Sequence, residues 1–179
     1  MASLECPSIV AYKEAFFDDT INVLCIVMEY ADAGDLSHLV ATHKKTHAPI
    51  AETEIWKVIA SMLTGLDALH SRGIMHRDLK SANIFKTSEG YKLGDLNVSK
   101  VVGGNLAYTQ TGTPYYASPE VWRDEPYDAK SDVWSLGCIA FEMATLRPPF
   151  DGKSMEDLYR NVQNKPIPTV PSSYSRELA

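Results

Sequence analysis

The stretch HRDLKSAN at His76–Asn83, together with DLN at Asp95–Asn97, decides the fold of this chain. In these two stretches, two carboxylates, an amide and a lysine each lie within a turn or just after one. Oxygen atoms of Asp and Asn are ligands that Mg²⁺ prefers beside substrate phosphates. A second Asp can accept a hydroxyl proton, and a Lys can offset charge on a transferring phosphoryl group. The ordered set, with Asn83 five positions after Asp78, therefore predicts a site for metal and phosphate chemistry.

Outward from this stretch, two segments of different character predict helices. Before it, apolar residues recur at spacings of three and four and so share one helix face. These residues are Ile55, Ile59, Met62, Leu63, Leu66 and Leu69. Glu52 and Glu54 suit the positive N-terminal end of this helix, and Gly73 is a plausible stop. After it, Asp132–Ala144 is apolar on nearly every side, which predicts a helix in the middle of the core.

The N-terminal part predicts a small β element. Ile9–Phe17 and Ile21–Met28 are apolar, β-branched stretches joined by polar residues, as in a hairpin. ADAGDL at Ala31–Leu36 breaks this pattern and predicts a short helix after it. Thr42–Pro49 is polar and ends at proline, which favours a surface loop. The sequence thus predicts an α+β chain, mostly helical, with a β appendage at its N-terminus.

Composition excludes several classes of protein. The chain has 179 residues, 45% of them hydrophobic and 22% charged, which is typical of a globular domain. A formal charge of -6 argues against a chain-wide basic footprint for nucleic acid. No apolar run reaches the roughly 20 residues that span a bilayer, and no secretory signal is recognisable. We expect neither nucleic acid nor a membrane as partner, and the odd number of well-separated cysteines predicts a reduced, intracellular chain.

Several motifs resemble those of eukaryotic protein kinases. HRDLKSANIF at 76–85 is similar to the catalytic loop, and DLN at 95–97 occupies the place of the metal-binding DFG. TGTPYYASPE at 111–120 resembles the end of the activation segment. SDVWSLGCIAFEM at 131–143 resembles the buried helix of the larger lobe, and IVMEYADAGDL at 26–36 resembles the hinge that holds adenine. The resemblance implies the α+β protein-kinase-like fold.

The resemblance extends over about Leu4–Leu178 and points to one branch of the family. Lys80 within HRDLK marks the serine/threonine kinases, and GTPYYASPE, VMEYADAGDL and LRPPF are most similar to NIMA-related (NEK) kinases. A Ser/Thr kinase that transfers the γ-phosphate of ATP to proteins is implied. Residues 1–30 would be a remnant of the smaller lobe, comprising a hairpin and the hinge. Residues 31–179 would be the larger lobe, incomplete at its C-terminus.

Catalytic and metal-binding roles follow from the resemblance, position by position. Asp78 would accept the proton of the substrate hydroxyl, and Lys80 would contact the γ-phosphate. Asn83 and Asp95 would hold Mg²⁺, the second cofactor besides ATP. Turn-forming residues without catalytic function are the alternative at these positions.

The same resemblance places the nucleotide. Met28 would be the gatekeeper, and backbone groups of Glu29 and Ala31 would hydrogen-bond adenine. Asp35 would lie near the ribose, and Phe85 would pack beneath the base.

Regulatory roles follow as well. Arg77 would pair with a phosphorylated activation loop. The charge-assisted contact between Arg77 and the phosphate would order that loop. Thr109, four residues before Thr113, is the predicted phosphosite, with Thr111 second and an ordinary loop hydroxyl as the alternative. Thr113 would face the catalytic Asp and Lys and help to select Ser or Thr.

Other residues favour structural interpretations. Asp132 is expected to cap and anchor the buried helix beneath the catalytic loop. His43 and His47 stand four apart, as zinc ligands do, but lack a Cys or acidic partner, so a solvated loop is favoured. Tyr115 and Tyr116 are expected to be packing residues rather than phosphosites.

Three departures from the family bear on activity. The Gly-rich loop, the strand lysine and its glutamate partner would precede Ile9, where only eight residues stand. In the family, the arginine that pairs with the glutamate at position 120 would follow the last residues of this sequence. Glu120 must therefore find another cation, reach water or take up a proton. We expect an activation segment looser than is usual in the family. In DLN, Leu96 replaces the aromatic residue and Asn97 the glycine. We therefore expect negligible phosphotransfer from these residues alone.

The alternative function is a non-catalytic kinase-like module that binds substrates or a longer kinase. Such a module would be expected to lose Asp78, Asn83 or Asp95, and all three remain. Expected partners are protein substrates with Ser or Thr acceptors, other kinases and cytoskeletal proteins. Cytoplasm is the expected location, with nucleus, centrosome or cilium by family analogy.

Overall fold

The computed structural model describes residues 5–96 and 114–179. In chain order the elements are β1 (Tyr12–Asp18), β2 (Val23–Met28), α1 (Leu36–Thr46), α2 (Glu52–His70), a 3₁₀ turn (Ser81–Asn83), β3 (Ile84–Thr87), β4 (Gly90–Leu93), α3 (Pro119–Trp122), α4 (Ala129–Thr145) and α5 (Met155–Asn164). The strands form two separate antiparallel pairs, β1 with β2 and β3 with β4. Helices with small antiparallel sheets confirm the predicted α+β class. No helix within the described ranges is long and apolar enough to cross a bilayer.

The N-terminal hairpin is confirmed, with different bounds. β1 and β2 pair antiparallel, with Phe17 opposite Leu24. Ile9, predicted in the first strand, is instead buried and forms an isolated bridge with Leu93. Both strands remain largely exposed on either face, because nothing in the described residues covers the hairpin.

The predicted loop at Thr42–Pro49 is wrong over its first half, since α1 continues to Thr46. The Oγ1 of Thr42 donates to the His38 carbonyl, and that of Thr46 donates to the Thr42 carbonyl. Polar side chains that bond back to the helix in this way are compatible with it. His47 ends α1 in the left-handed region with φ 54°.

The first predicted helix is confirmed as α2. Ile55, Met62, Leu66 and Leu69 are buried on the face toward α4 and β4, whereas Leu63, assigned to the same face, is 47% exposed. The helix ends before Gly73, which adopts φ 69° and donates to the His70 carbonyl.

The core helix is confirmed as α4, but it begins three residues earlier than predicted. Asp128 is its N-cap and forms a capping box with Ser131, so the prediction that Asp132 is the cap is wrong. Only Lys130, Val133 and Gly137 are exposed along this helix. Asp132 therefore lies inside the molecule, beneath the loop that follows α2.

Candidate functional site

The loop after α2 is fixed to α4 by one buried carboxylate, that of Asp132. Its Oδ2 accepts from the backbone N–H of His76 at 3.0 Å, and its Oδ1 from that of Arg77 at 3.1 Å. Its Oδ1 also accepts from the Tyr127 hydroxyl at 2.6 Å, and His70 Nε2 lies 2.7 Å from its Oδ2. The predicted anchoring role of Asp132 is confirmed.

A buried histidine joins this loop to the end of β4. His76 Nδ1 accepts from the Asp78 N–H at 3.3 Å, and Nε2 lies 2.9 Å from the Gly94 carbonyl. These partners assign the proton to Nε2 of a neutral ring. Burial lowers the pKa of His76, although neighbouring acceptors and carboxylates oppose it, so the neutral ring is favoured. His76 thus holds the residues before Asp95 against the catalytic loop.

The predicted catalytic residues lie together. Lys80 Nζ is 2.7 Å from Asp78 Oδ2, and Asn83 Nδ2 donates to the Asp78 carbonyl at 2.8 Å and to Oδ2 at 3.2 Å. Asn83 is buried, whereas the side chains of Asp78 and Lys80 are about one-third exposed, at 34% and 35%. The Asp78 carboxylate is therefore oriented by two donors and remains accessible to a substrate.

Asp95 is brought beside this cluster by the backbone. The Gly94 N–H donates to the Asn83 carbonyl at 2.9 Å, and Asp95 follows with φ 56°. A Cβ at Gly94 would lie 2.5 Å from the Phe85 ring, so any larger residue there would displace this ring. Because the Asn83 amide nitrogen donates to Asp78, its Oδ1 is the atom available to a cation. This oxygen and the Asp95 carboxylate fit the donor set of Mg²⁺.

The predicted adenine-binding residues follow the exposed end of β2 at Met28. The Glu29 N–H donates to the Ala11 carbonyl at 2.8 Å, and the Glu29 carboxylate accepts from Lys92 Nζ at 2.5 Å. The Lys92 hydrogen bond lowers the pKa of Glu29. Neither the Glu29 carbonyl nor the Ala31 backbone forms a hydrogen bond with another described residue. The resemblance assigns backbone groups of these two residues to adenine, which stays a prediction.

Asp35 and Phe85 lie next to each other in an isolated antiparallel bridge. The Asp35 carboxylate accepts from the His38 N–H at 2.9 Å and from the Ser37 hydroxyl at 2.5 Å, so it caps α1. Sequence reasoning missed this capping role, although an Asp immediately before a helix is its ordinary signal.

Arg77 adopts a strained backbone, with φ 69°. Its guanidinium lies 6.0 Å from the Tyr127 ring centroid, and its buried Nε has no hydrogen-bond partner in the described ranges. Its predicted pairing with a phosphorylated loop stays a prediction. Thr109, Thr111 and Thr113 lie outside the described residues, as does Asn97.

Glu120 interacts with a hydroxyl that the sequence did not indicate, and the expected cation is Arg123, whose charge acts on the carboxylate. Ser131 Oγ donates to Glu120 Oε1 at 2.6 Å. Burial raises the pKa of Glu120, but the Ser131 hydrogen bond and the charge of Arg123 outweigh it, and the pKa falls below its usual value. The ionised form is therefore favoured, so uptake of a proton is disfavoured among the three possibilities expected for Glu120.

Sequence reasoning missed the polar role of Tyr116. Its hydroxyl lies 3.0 Å from Ser81 Oγ and donates to Glu142 Oε2 at 2.9 Å. Tyr115, by contrast, packs against the apolar cluster of Phe150, Leu158 and Val162. The signal in the sequence is Glu142, a lone carboxylate in the later part of an otherwise apolar helix, which requires a buried partner.

Comparisons with known proteins give the family. Residues 1–177 match the protein kinase domain family. The chain is 39% identical to mouse serine/threonine-protein kinase Nek11 over 99% of its length, and 39% identical to mouse Nek3 over 99%. It is 42% identical to mouse Nek4 over 100%. The matched residues span 28%, 35% and 23% of these relatives, respectively. The predicted similarity to NIMA-related kinases is confirmed.

Proposed function

The chain belongs to the protein kinase domain family, and from this premise we propose that it acts as a Ser/Thr protein kinase of the NIMA-related type. The reaction is transfer of the ATP γ-phosphoryl group to Ser or Thr hydroxyls of proteins. The observation that carries the proposal is the cluster of Asp78, Lys80 and Asn83, in which an accessible carboxylate accepts from two fixed donors.

Each residue of the cluster has a chemical task. Asp78 Oδ2 is held where a substrate hydroxyl can approach, and it accepts the proton as that oxygen attacks phosphorus. Lys80, beside it, places a positive charge near the transferring group. Asn83 orients the Asp78 carboxylate from its buried side.

Asn83 and Asp95 would hold Mg²⁺, which supplies positive charge to the phosphates of ATP. Gly94 fixes the approach of these two residues through its bond to the Asn83 carbonyl. The backbone of Glu29 and Ala31 would bind adenine, and Asp35 and Phe85 would line the remainder of the nucleotide site.

The test is phosphotransfer from radiolabelled ATP to a mixed Ser/Thr protein substrate, measured on the protein as cells make it. Asp78→Asn keeps the shape of the side chain and removes the base, so we expect a loss of about 100-fold or more. Asp124→Asn is the matched control, because Asp124 is exposed and its left-handed backbone tolerates Asn. Equal rates for wild type and Asp78→Asn would overturn the proposal.

We further propose that a polypeptide of residues 1–179 alone transfers phosphate negligibly. The sequence contains no Gly-rich phosphate loop, and positioning supplies most of the acceleration in this chemistry. Turnover of this polypeptide above its Asp78→Asn variant would contradict this expectation. Absence of turnover in the protein as cells make it would favour the alternative, a non-catalytic binding module.

Partners and location are proposals from the family. We infer protein substrates with Ser or Thr acceptors, and other kinases or cytoskeletal proteins as binding partners. We propose cytoplasm as the location, with nucleus, centrosome or cilium as family alternatives, to be distinguished by immunofluorescence of the endogenous protein. A blot with an antibody against residues 36–54, which comprise α1, the following loop and the start of α2, would also give the size of the native product.

A further inference from the structure

Tyr116 joins three parts of the molecule through one hydroxyl. The hydroxyl lies 3.0 Å from Ser81 Oγ, in the 3₁₀ turn of the catalytic loop, and donates to Glu142 Oε2 in α4 at 2.9 Å. Its position in the sequence, between residues 114 and 120, places it in the segment that resembles the end of the activation segment. The two hydrogen bonds therefore connect this segment, the catalytic loop and the core helix.

The backbone of Tyr116 is fixed to the same helix. Its carbonyl accepts from Ser135 Oγ at 2.8 Å, and Ser135 is itself buried. One turn earlier, Ser131 donates to Glu120. Because both contacts hold residues 114–120 on α4, the ring of Tyr116 has little freedom, and its hydroxyl can impose a position on Ser81.

Ser81 in turn sets the geometry of the catalytic residues. It begins the 3₁₀ turn that ends at Asn83, and the Asn83 N–H donates to the Lys80 carbonyl across it at 2.9 Å. Ser81 is buried, and Glu142 lies mostly inside the core, where burial raises its pKa. Loss of the Tyr116 hydroxyl would remove one hydrogen bond from each group away from bulk water and leave Ser81 and Glu142 with their contact to each other.

We propose that Tyr116 is a positioning residue for phosphoryl transfer, which fixes Ser81 and with it the turn that carries Lys80 and Asn83. It acts through Ser81 and touches neither substrate nor nucleotide. This proposal rests on the proposed kinase function. It assigns Tyr116 a role beyond packing and separates it from Tyr115, which lies against a different cluster.

The experiment compares Tyr116→Phe with Tyr115→Phe in the protein as cells make it. Both changes remove one hydroxyl, and that of Tyr115 has no hydrogen-bond partner among the described residues. We expect Tyr116→Phe to lower kcat about 10-fold with KM for ATP unchanged within about twofold, because displacement of the turn affects the chemical step. Tyr115→Phe is expected to leave both constants at the wild-type value.

A double-variant comparison tests the route through the turn. Ser81→Ala should lower kcat by a similar factor, and Tyr116→Phe combined with Ser81→Ala should lower it no further, because both variants remove the contact between Tyr116 and Ser81. Additive losses, equal losses in Tyr115→Phe and Tyr116→Phe, or a wild-type kcat in Tyr116→Phe would each overturn the proposal.

Amide hydrogen exchange tests the positioning role of Tyr116 independently of kinase activity. Tyr116→Phe is expected to accelerate exchange of the Asn83 amide at least about fivefold relative to Tyr115→Phe, with amides in the middle of α2 unchanged. If the wild type transfers no phosphate, the kinase function fails, and the exchange still decides whether Tyr116 holds the turn. Unchanged exchange at Asn83 would refute that hold even in an active enzyme.

Discussion

At the scale of single residues, the catalytic loop depends on groups that perform no chemistry. The Asp132 carboxylate is fully buried and accepts from two consecutive backbone N–H groups, those of His76 and Arg77. Arg77 has a positive φ that a non-glycine residue adopts only at a cost. Asp132 stabilises this strained turn, and the turn places Asp78 one residue later.

Replacement of Asp132 by Asn is therefore expected to destabilise the protein strongly. The new amide would present hydrogen atoms toward existing donors and leave buried groups unsatisfied. The free energy of unfolding should fall by about 3 kcal/mol in urea denaturation. Asp124→Asn, on the surface, should change it by less than about 0.5 kcal/mol. A loss below about 1 kcal/mol for Asp132→Asn would show that the loop does not depend on this carboxylate.

Glu54 gives stability a definite dependence on pH. Its Oε1 accepts from the Tyr91 hydroxyl at 2.6 Å and from Lys86 Nζ at 2.9 Å, which together lower its pKa from 4.5 to about 2. Because the folded-state pKa lies below the unfolded-state value, the ionised group stabilises the fold above about pH 4.5. This contribution, roughly 3 kcal/mol at most, is lost as the pH falls from 4.5 toward 2.

Glu54→Gln is expected to flatten that part of the pH profile. Chemical denaturation between pH 6 and pH 3 would measure the difference between wild type and variant, which should shrink as the pH falls. Glu89→Gln is the matched control, since the Glu89 side chain is 79% exposed and lies 3.9 Å from its nearest cation, Lys92. A constant difference between Glu54→Gln and wild type would contradict the assignment.

At the scale of elements, α1 is capped by Asp35, a residue that we also propose to line the nucleotide site. The Asp35 carboxylate accepts from the His38 N–H, and the bridge to Phe85 places Asp35 against β3. Asp35→Ala should lower the free energy of unfolding by about 1 kcal/mol, the usual effect of losing a cap, whereas Asp35→Asn should keep most of it. Thermal denaturation of both variants would measure this, with Asp32→Ala as a neighbouring control. Equal stability of Asp35→Ala and wild type would exclude the cap.

Some features of these elements could be predicted from the sequence, and others could not. The periodicity from Ile55 to Leu69 and the apolarity of α4 identify two helices, because each pattern lies within one element. The extension of α1 to Thr46 was missed, because the hydrogen bonds that support it run from polar side chains back to the helix. The contact of Tyr116 with Ser81 was missed for another reason: these residues are 35 positions apart in the sequence and meet only in the folded chain.

At the scale of the whole molecule, burial is uneven. The apolar core lies between α2, α4 and the β3–β4 pair, whereas the N-terminal hairpin leaves large apolar side chains exposed on both faces. Phe17 and Leu24 stand opposite each other across the strands and are 53% and 61% exposed. Contiguous exposed apolar surface of this kind binds hydrophobic dyes and promotes association.

A polypeptide of residues 1–179 is therefore expected to bind the dye ANS through this hairpin. Phe17→Ser combined with Leu24→Ser should lower the dye fluorescence by about half, because both side chains are apolar and more than half exposed. Lys13→Ser, also on β1, changes no apolar side chain and should leave the fluorescence unaltered. The thermal transition of the helical core should stay the same in all variants, since these residues lie on the hairpin and are not members of the core cluster. Unchanged fluorescence in the double variant would instead assign dye binding to the apolar cavity lined by Trp56, Phe141 and Val170.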